Sequence, residues 1–343
     1  MENKLVLVTG GTGYIGSHTT VELMNEGYDV VIVDNLSNSD KSVLDGISAI
    51  TGRRPYFEQF DICDKEKLEN FFKVYKRLDA VIHFAAYKAV GESTEKPLMY
   101  YQNNLTTLMN LLEGMIKYNI PHFVFSSSAT VYGQPDELPV TEKAPFKSAD
   151  SPYGNTKQIA EEIIRDTAKV NSGLFAISLR YFNPIGAHSS GLIGELPRGV
   201  PNNLVPFITQ TAIGLRDELK VFGDNYNTPD GTAIRDYINV VDLARAHVVS
   251  IKRMLNKKSK NNLEVFNLGT GKGSSVLEII HAFEKVTAEK LNYSVVGRRA
   301  GDVESVYADT KYANEELGWA AQVGLEDTLQ SAWKWEKYIR NKN

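Results

Sequence analysis

Leu5-Val6-Leu7-Val8-Thr9-Gly10-Gly11-Thr12-Gly13-Tyr14-Ile15-Gly16-Ser17 decides the fold. The apolar β-type run 5–8 enters a glycine turn. A helical pattern with apolar Ile15, Val21, Leu23 and Met24 leaves it, and Gly27 stops that helix. Strand, glycine turn and helix are the setting a dinucleotide needs. Gly10 lets the chain turn sharply off the strand. Gly13, without a Cβ, lets backbone N–H groups approach a pyrophosphate. Gly16 lets the helix lie close on the sheet, and the helix N-terminus turns its partial positive charge toward the phosphates. An ordinary βα turn would share these glycines. Asp34 argues against that reading, because it ends the next apolar run, 30–33, about 20 residues on, where an acid meets the adenosine ribose hydroxyls. Asn35 and Leu36 follow it, with no Arg to take a 2′-phosphate, so the expected cofactor is NAD rather than NADP.

The chain has 343 residues, enough for one large or two medium domains with a full core. Its net charge of −4 offers no basic footprint for nucleic acid. Its longest apolar runs fall far short of a membrane span, and the N-terminus runs straight into the first strand, without the pattern of a signal peptide. Cys63 is the only cysteine, which rules out an internal disulfide and reads as a small core or near-surface thiol. These features suggest a cytoplasmic protein. The histidines show no HExxH or paired spacing, so no metal site is expected.

The first half alternates strands and helices, which predicts an α/β fold of the Rossmann type: a doubly wound parallel sheet covered on both faces. A polar stretch 35–40 and a helix 41–50 precede a strand 55–60. That strand leads to Asp61-Ile62, an acid and an aliphatic group suited to an adenine amino group and ring face, with Asp61 or Asp64 as a cap for a helix 65–76. The stretch 80–86, a strand and its exit, is apolar throughout, as burial on both faces demands. It ends in small Ala85 and Ala86, with Lys88 at the same edge. A helix runs from Pro97 to about Tyr118 and carries Asn103 inside it. The strand 122–128 ends in three hydroxyls, Ser126, Ser127 and Ser128. A proline-rich loop follows, then a helix opened by Tyr153 and running to about Val170, and a strand 174–181. Beyond Asn183 the alternation weakens and the segments read as irregular. The expected division is 1–182, a dinucleotide-binding domain, and 183–343, a smaller α/β domain for substrate. About 238–268 return to the first sheet as a helix and a strand. Helices near 276–287 and 325–341 complete the second domain.

Tyr153 and Lys157, four positions apart, share one face of a helix. A Tyr phenol ordinarily ionises near pH 10, and bringing it to neutrality takes about 4 kcal/mol of preference for the anion. A neighbouring ammonium and an oxidised nicotinamide supply it. Tyr153 then works as general base and acid on a sugar hydroxyl, with Ser128 placed to bond the same oxygen. Most Tyr–Lys pairs at this spacing are ordinary surface residues. The combination with the glycine turn, Asp34 and the serine-ended strand gives this pair its meaning.

On these stretches the chain resembles the extended short-chain dehydrogenase/reductases, and within them the UDP-glucose 4-epimerase family, over essentially its full length. The matching stretches are 9–17, Asp34-Asn35-Leu36-Ser37-Asn38-Ser39, Phe84-Ala85-Ala86-Tyr87-Lys88, 126–133, 153–157, Arg180-Tyr181-Phe182-Asn183, Asn202-Asn203-Leu204, Arg235-Asp236-Tyr237 and Arg298-Arg299-Ala300-Gly301-Asp302. The resemblance implies that Gly10, Gly13, Tyr14, Ile15, Gly16, Asp34 to Ser39, Asp61, Ile62, Phe84, Ala85, Ala86, Lys88, Asn103, Ser126, Tyr153, Lys157, Tyr181 and Phe182 hold NAD. It assigns the UDP-sugar to Lys88, Ser128, Tyr153, Asn183, Asn203, Leu204, Lys220, Val221, Phe222, Arg235, Arg299, Asp302 and Val306. Two guanidiniums suit a diphosphate through forked, charged hydrogen bonds; surface ion pairs with Asp236 or Asp302 are their ordinary alternative.

The implied activity is inversion at C4 of UDP-glucose and UDP-galactose through a 4-keto sugar, in galactose metabolism, by a homodimer paired through the helices near 97–118 and 153–170. Val306 stands where some epimerases have Tyr, which suggests room for an N-acetyl group. Two other readings compete. A 4,6-dehydratase needs an added acid/base pair, and the dehydratases carry Asp-Glu where this chain has Ala129-Thr130. A non-catalytic NAD sensor would not require Tyr153, Lys157 and Ser128 to be intact.

Overall fold

The computed structural model describes residues 3–299 and 302–341; Ala300 and Gly301 of the stretch 298–302 lie outside them. Seven parallel strands form the central sheet. In chain order they are β1 (Leu5–Thr9), β2 (Asp29–Asp34), β3 (Tyr56–Gln59), β4 (Leu78–His83), β5 (His122–Ser128), β6 (Phe175–Tyr181) and the later strand Leu263–Leu268. Across the sheet the order is Leu263–Leu268, β6, β5, β4, β1, β2, β3. The order reverses between β1 and β4, and the carboxyl ends of those strands bound a crevice that suits a ligand.

The central strands are apolar runs because both faces are covered. Val6, Val8, Val30, Ile32, Ala80, Ile82 and Val124 share one core with α1 (Tyr14–Asn25) and the helix Val240–Leu255. Leu7, Val31, Val33, Val81, Phe123 and Phe125 share the other, with residues of α3 (Lys65–Val74), α5 (Pro97–Lys117) and α6 (Pro152–Val170). Two short helices complete this half, α2 (Val43–Thr51) and α4 (Val90–Glu95). Leu263–Leu268 pairs with β6 along its whole length. A third core joins Ile185, Val205, Ile208, Ile279, Phe283 and Trp333.

Several elements differ from the sequence reading. β4 begins at Leu78, two residues before the reading, and ends at His83, where Phe84 N–H still donates to the Thr9 carbonyl at 3.1 Å. The chain must leave the sheet there, because Ala85 packs against Gly10: a Cβ on Gly10 would lie 2.9 Å from the Ala85 nitrogen. Pro152, read as loop, opens α6; its missing N–H costs nothing in a first turn. Of the two caps open to α3, Asp64 takes the role, accepting from Lys67 N–H at 3.1 Å, and the helix stops at Val74 rather than 76. The irregular stretch after Asn183 contains a helix, Leu204–Ala212, and paired strands of two to four residues such as Leu219–Phe222 with Tyr293–Val296.

Candidate active site

The glycine turn is built as a cradle. Gly10 has φ +68°, and its N–H donates to the Val33 carbonyl at 2.8 Å. A Cβ on Gly16 would fall 2.3 Å from the Gly10 oxygen, so α1 sits as close to the turn as backbone allows. A Cβ on Gly11, to which the sequence reading gave no role, would strike Ile32 at 2.7 Å. At Gly13, the N-cap of α1, a Cβ would meet only the Gly10 oxygen, at 3.1 Å. The mouth of the turn is therefore open to a pyrophosphate, and this donor set fits NAD.

Asp34 does more than wait for a ribose. Its carboxylate accepts from Thr12 N–H at 3.2 Å, Leu36 N–H at 2.9 Å and the Ser39 hydroxyl at 3.0 Å. Ser39 in turn bonds the Thr12 hydroxyl at 2.7 Å. The acid thus ties the glycine turn to the stretch 35–39, where Leu36 has φ +59° and Ser37 and Asn38 are exposed. Asn35 extends the line by donating to Asp61 at 3.0 Å. Asn103 donates to Asn104 at 2.9 Å, a polar partner inside α5. Ile62, Phe182 and Val221 have buried side chains in the cores, so main chain is what they offer a ligand.

The crevice floor holds a relay that the sequence reading missed. Ala85 N–H donates to the Thr9 hydroxyl at 3.3 Å, and that hydroxyl also shares a hydrogen bond with His83 Nδ1, 2.8 Å away. Burial pushes His83 down to about 3, with the Lys157 charge adding to the effect, so the ring is neutral. The Phe84 ring lies 4.7 Å from that of His247.

Ser128, Tyr153 and Lys157 come together as expected. Ser128 closes β5 and hydrogen-bonds Tyr153. Lys157 is buried and donates to the Ser126 carbonyl at 2.7 Å, with its ammonium 5.9 Å from the centre of the Tyr153 ring and 4.8 Å from that of Phe125. Burial pushes Lys157 down to about 8, partly opposed by Glu161. The expected depression of the Tyr153 phenol is not produced by these groups. Burial pushes it up to about 12, against the Ser128 hydrogen bond, and the ammonium is too far under the ring to reverse this. Tyr181 bonds Ser126 through its hydroxyl.

On the substrate side, Arg235 pairs with Asp302, while Asp236 turns away to accept from Thr270, Gly271 and Ala308. Arg299 lies over the exposed Phe222 ring at 4.5 Å. Lys220 donates to Ser294 at 3.0 Å on the same rim. Asn183 is exposed at the start of a short strand paired with Tyr237–Asn239. Leu204 begins its helix, half-buried against the third core. Val306 pairs opposite Arg235 and packs beside Phe182 and Ala308. Glu195, which the sequence gave no reason to choose, joins the two halves: it accepts from Asn203 at 2.7 Å and from Lys88 at 3.5 Å. Tyr14 joins them too, donating to the Gly186 carbonyl at 2.6 Å.

Residues 7–332 match a family model described as GDP-mannose 4,6 dehydratase. A UDP-glucose 4-epimerase of Mus musculus is 49% identical over 97% of this chain and 96% of its own length. Two solved structures of UDP-glucose 4-epimerases align over 99% of this chain and 100% of theirs. One, from Stenotrophomonas maltophila with bound NAD and formylated UDP-arabinopyranose, has a TM-score of 0.96 at 47% identity. The other, from Bifidobacterium longum in complex with NAD+ and UDP, has a TM-score of 0.94 at 46% identity.

Proposed function

The chain belongs to the extended short-chain dehydrogenase/reductases and, within them, to the UDP-glucose 4-epimerase family, and from this we propose that it inverts C4 of UDP-glucose and UDP-galactose with tightly held NAD. The observation that carries the reading is the Ser128–Tyr153–Lys157 cluster at the carboxyl edge of the sheet that bears the glycine cradle.

Bound NAD supplies a reversible two-electron acceptor for the sugar carbon. The rest falls to the chain. Tyr153 takes the proton of the 4-hydroxyl and later gives it back. Ser128 bonds both Tyr153 and the same sugar oxygen, which orients the exchange. Lys157 places a positive charge beneath the phenol ring. Arg235 and Arg299 hold the diphosphate while the 4-keto sugar turns over, so inversion needs a firm grip on UDP and a loose one on the ring. Asp34 holds the adenosine ribose, and Lys88, Asn183, Asn203, Phe222 and Asp302 complete the two ligand contacts. The part up to about Asn183, with the return near 238–268, binds the cofactor, and the remainder binds the UDP-sugar.

The dehydratase alternative is weakened by Ala129 and Thr130, neither of which transfers a proton. The sensor alternative is weakened by the intact catalytic cluster. We place the protein in the cytoplasm as a homodimer paired through α5 and α6. Leu98, Met109 and Ile116 of α5 are exposed apolar groups in keeping with pairing, and no helix among the described residues is long and apolar enough to cross a membrane.

The deciding experiment is incubation with UDP-galactose without added NAD, then chromatography of the sugars. UDP-glucose should appear, with deuterium at C4 retained. A 4-keto-6-deoxy product from dTDP-glucose would favour the dehydratase, and a protein purified without nicotinamide would refute the proposal.

A further inference from the structure

Three residues at successive turns of α6 meet the last three residues of β5. Tyr153 meets the Ser128 hydroxyl, Lys157 meets the Ser126 carbonyl, and Glu161 meets the Ser127 hydroxyl at 2.5 Å. Side chains alternate along a strand. Ser127 therefore follows Phe123 and Phe125 onto the face that α6 covers, while Ser126 and Ser128 turn to the other. Arg180 stands opposite Ser127 on β6. It donates to both oxygens of Glu161, at 2.9 Å from Nε and 2.6 Å from Nη2. Its Nη1 reaches the Tyr132 hydroxyl at 2.9 Å and the Glu142 carbonyl at 3.3 Å. Tyr132 donates onward to Asn267 at 2.6 Å. Glu161 and Arg180 are almost fully buried, 4% and 6% exposed. A buried ion pair is poor value as a source of stability, and its better-attested use is to fix a register.

We propose that Glu161, through Ser127 and Arg180, is a positioning residue for the reaction: it pins the catalytic helix in register on the strand that carries Ser128 and sets a negative charge one helical turn from the Lys157 ammonium. The inference rests on the function proposed above. The groups facing Lys157 are Glu161 and Tyr153 from α6, the Ser126 carbonyl and Phe125 ring from β5, and the neutral His83 from β4. Glu161 is the carboxylate in this set, and its attraction opposes the burial that drives the Lys157 proton off. Arg180 shields that attraction in part without cancelling it.

The test uses the NAD-loaded full chain. Glu161→Gln keeps the shape and removes the charge. It should lower kcat at least tenfold with KM little changed, and should move the alkaline limb of the kcat profile, set by loss of the Lys157 proton, to lower pH. Because this variant leaves Arg180 buried without its partner, it is paired with Glu161→Gln/Arg180→Met, which removes both charges. The double variant should displace the limb in the same direction but by less, with wild-type NAD content. Ser127→Ala, which leaves every charge in place, should lower kcat several-fold without moving the limb. An alkaline limb at the wild-type position in either charge variant, or unchanged kcat in all three, overturns the inference. If the single variant does not fold, the double variant decides. Wild-type turnover of UDP-galactose is measured in parallel, so failure of the proposed activity is seen separately from failure of the positioning role.

Discussion

Lys157 hangs from the main chain of Ser126, its ammonium 2.7 Å from the carbonyl oxygen, beneath the ring of the Tyr153 it serves. The strand that ends in Ser128 thus also fixes the charge under the phenol. Ser128, Tyr153 and Lys157 share one rigid frame, and in the proposed reaction the hydroxyl of Tyr153 exchanges the proton. Tyr153→Phe keeps the ring and removes that hydroxyl. Turnover of UDP-galactose should fall by about 10²–10⁴, while the NAD released on denaturation stays at the wild-type amount per chain. Unchanged turnover would refute the assigned role.

The same ammonium is expensive to keep. Its ionisation is pushed from 10.5 down to about 8 by burial, so between those values the unfolded chain binds a proton that the native chain does not. The unfolded state binds more protons, and stability therefore rises with pH across that window. Below about 8 the full penalty stands, on the order of 3 kcal/mol by linkage, offset by about 1 kcal/mol from the bond to Ser126. Lys157→Met should therefore melt no lower than wild type at pH 7 and lose nearly all activity. A thermal scan beside an activity assay checks both, and a marked fall in Tm would contradict the argument.

Three buried histidines act in the same sense in a more acidic window. His18 and His83 are pushed to about 3 and His247 to about 4, in each case chiefly by burial. The unfolded chain takes up these protons as pH falls through 6.5, and the native chain resists until pH 3–4. Each ring then removes about 1.4 kcal/mol of stability per pH unit in that window. Urea midpoints measured from pH 7 to pH 5 should drop steeply. His247→Gln, at the contact with Phe84, should flatten the slope by one ring's share.

What could be read from the sequence follows from burial. β1 and β2 are covered on both faces, so they appear as unbroken apolar runs, and the 3.6-residue pattern of α1 and α5 is long enough to find. The strands Ile234–Arg235, Ser274–Ser275 and Ser305–Val306 are two residues each, too short to carry any period. The helix Leu204–Ala212 follows a run rich in glycine and proline, from Gly186 to Pro201, and its own Pro206 sits harmlessly in the first turn. At the site, Tyr153 and Lys157 were legible because four residues make one turn. Glu161 and Arg180 were not: a charged residue on a helix reads as a solvated face, and the pairing with β6 is tertiary. Glu195 was invisible for the same reason, since Lys88 lies 107 residues away in sequence.

The cradle predicts a sharp contrast between two glycines. A methyl group on Gly16 would sit 2.3 Å from the Gly10 oxygen and 2.9 Å from the Gly11 Cα, both backbone atoms. The turn would have to open, at a cost of about 1–3 kcal/mol for overpacking, and the phosphate donors would move with it. Gly16→Ala should therefore purify with little NAD. Gly91→Ala, where nothing lies within 4 Å, should keep the wild-type content. Ultraviolet absorbance of the released cofactor per chain distinguishes the two.

Val306 sets the last expectation. Its short strand pairs in parallel with Ile234–Arg235, so Val306 lies opposite the arginine assigned to the diphosphate. Its side chain packs against the small apolar cluster that holds Phe182, the neighbour of Asn183, and Ala129 packs against the same cluster. Under the proposed function, this position lies between the diphosphate-holding Arg235 and the cluster behind the sugar pocket. A valine leaves space there that a tyrosine ring would fill, and an N-acetyl group at C2 needs such space. The chain should accordingly epimerise UDP-N-acetylglucosamine as well as UDP-glucose. Val306→Tyr should cut kcat/KM for the N-acetylated sugar by about 10–200-fold, the range that steric exclusion from a pocket commands, and leave UDP-galactose within a few-fold of wild type. Equal losses on both sugars would mean that Val306 serves only the apolar cluster around Phe182, and that the pocket is bounded elsewhere.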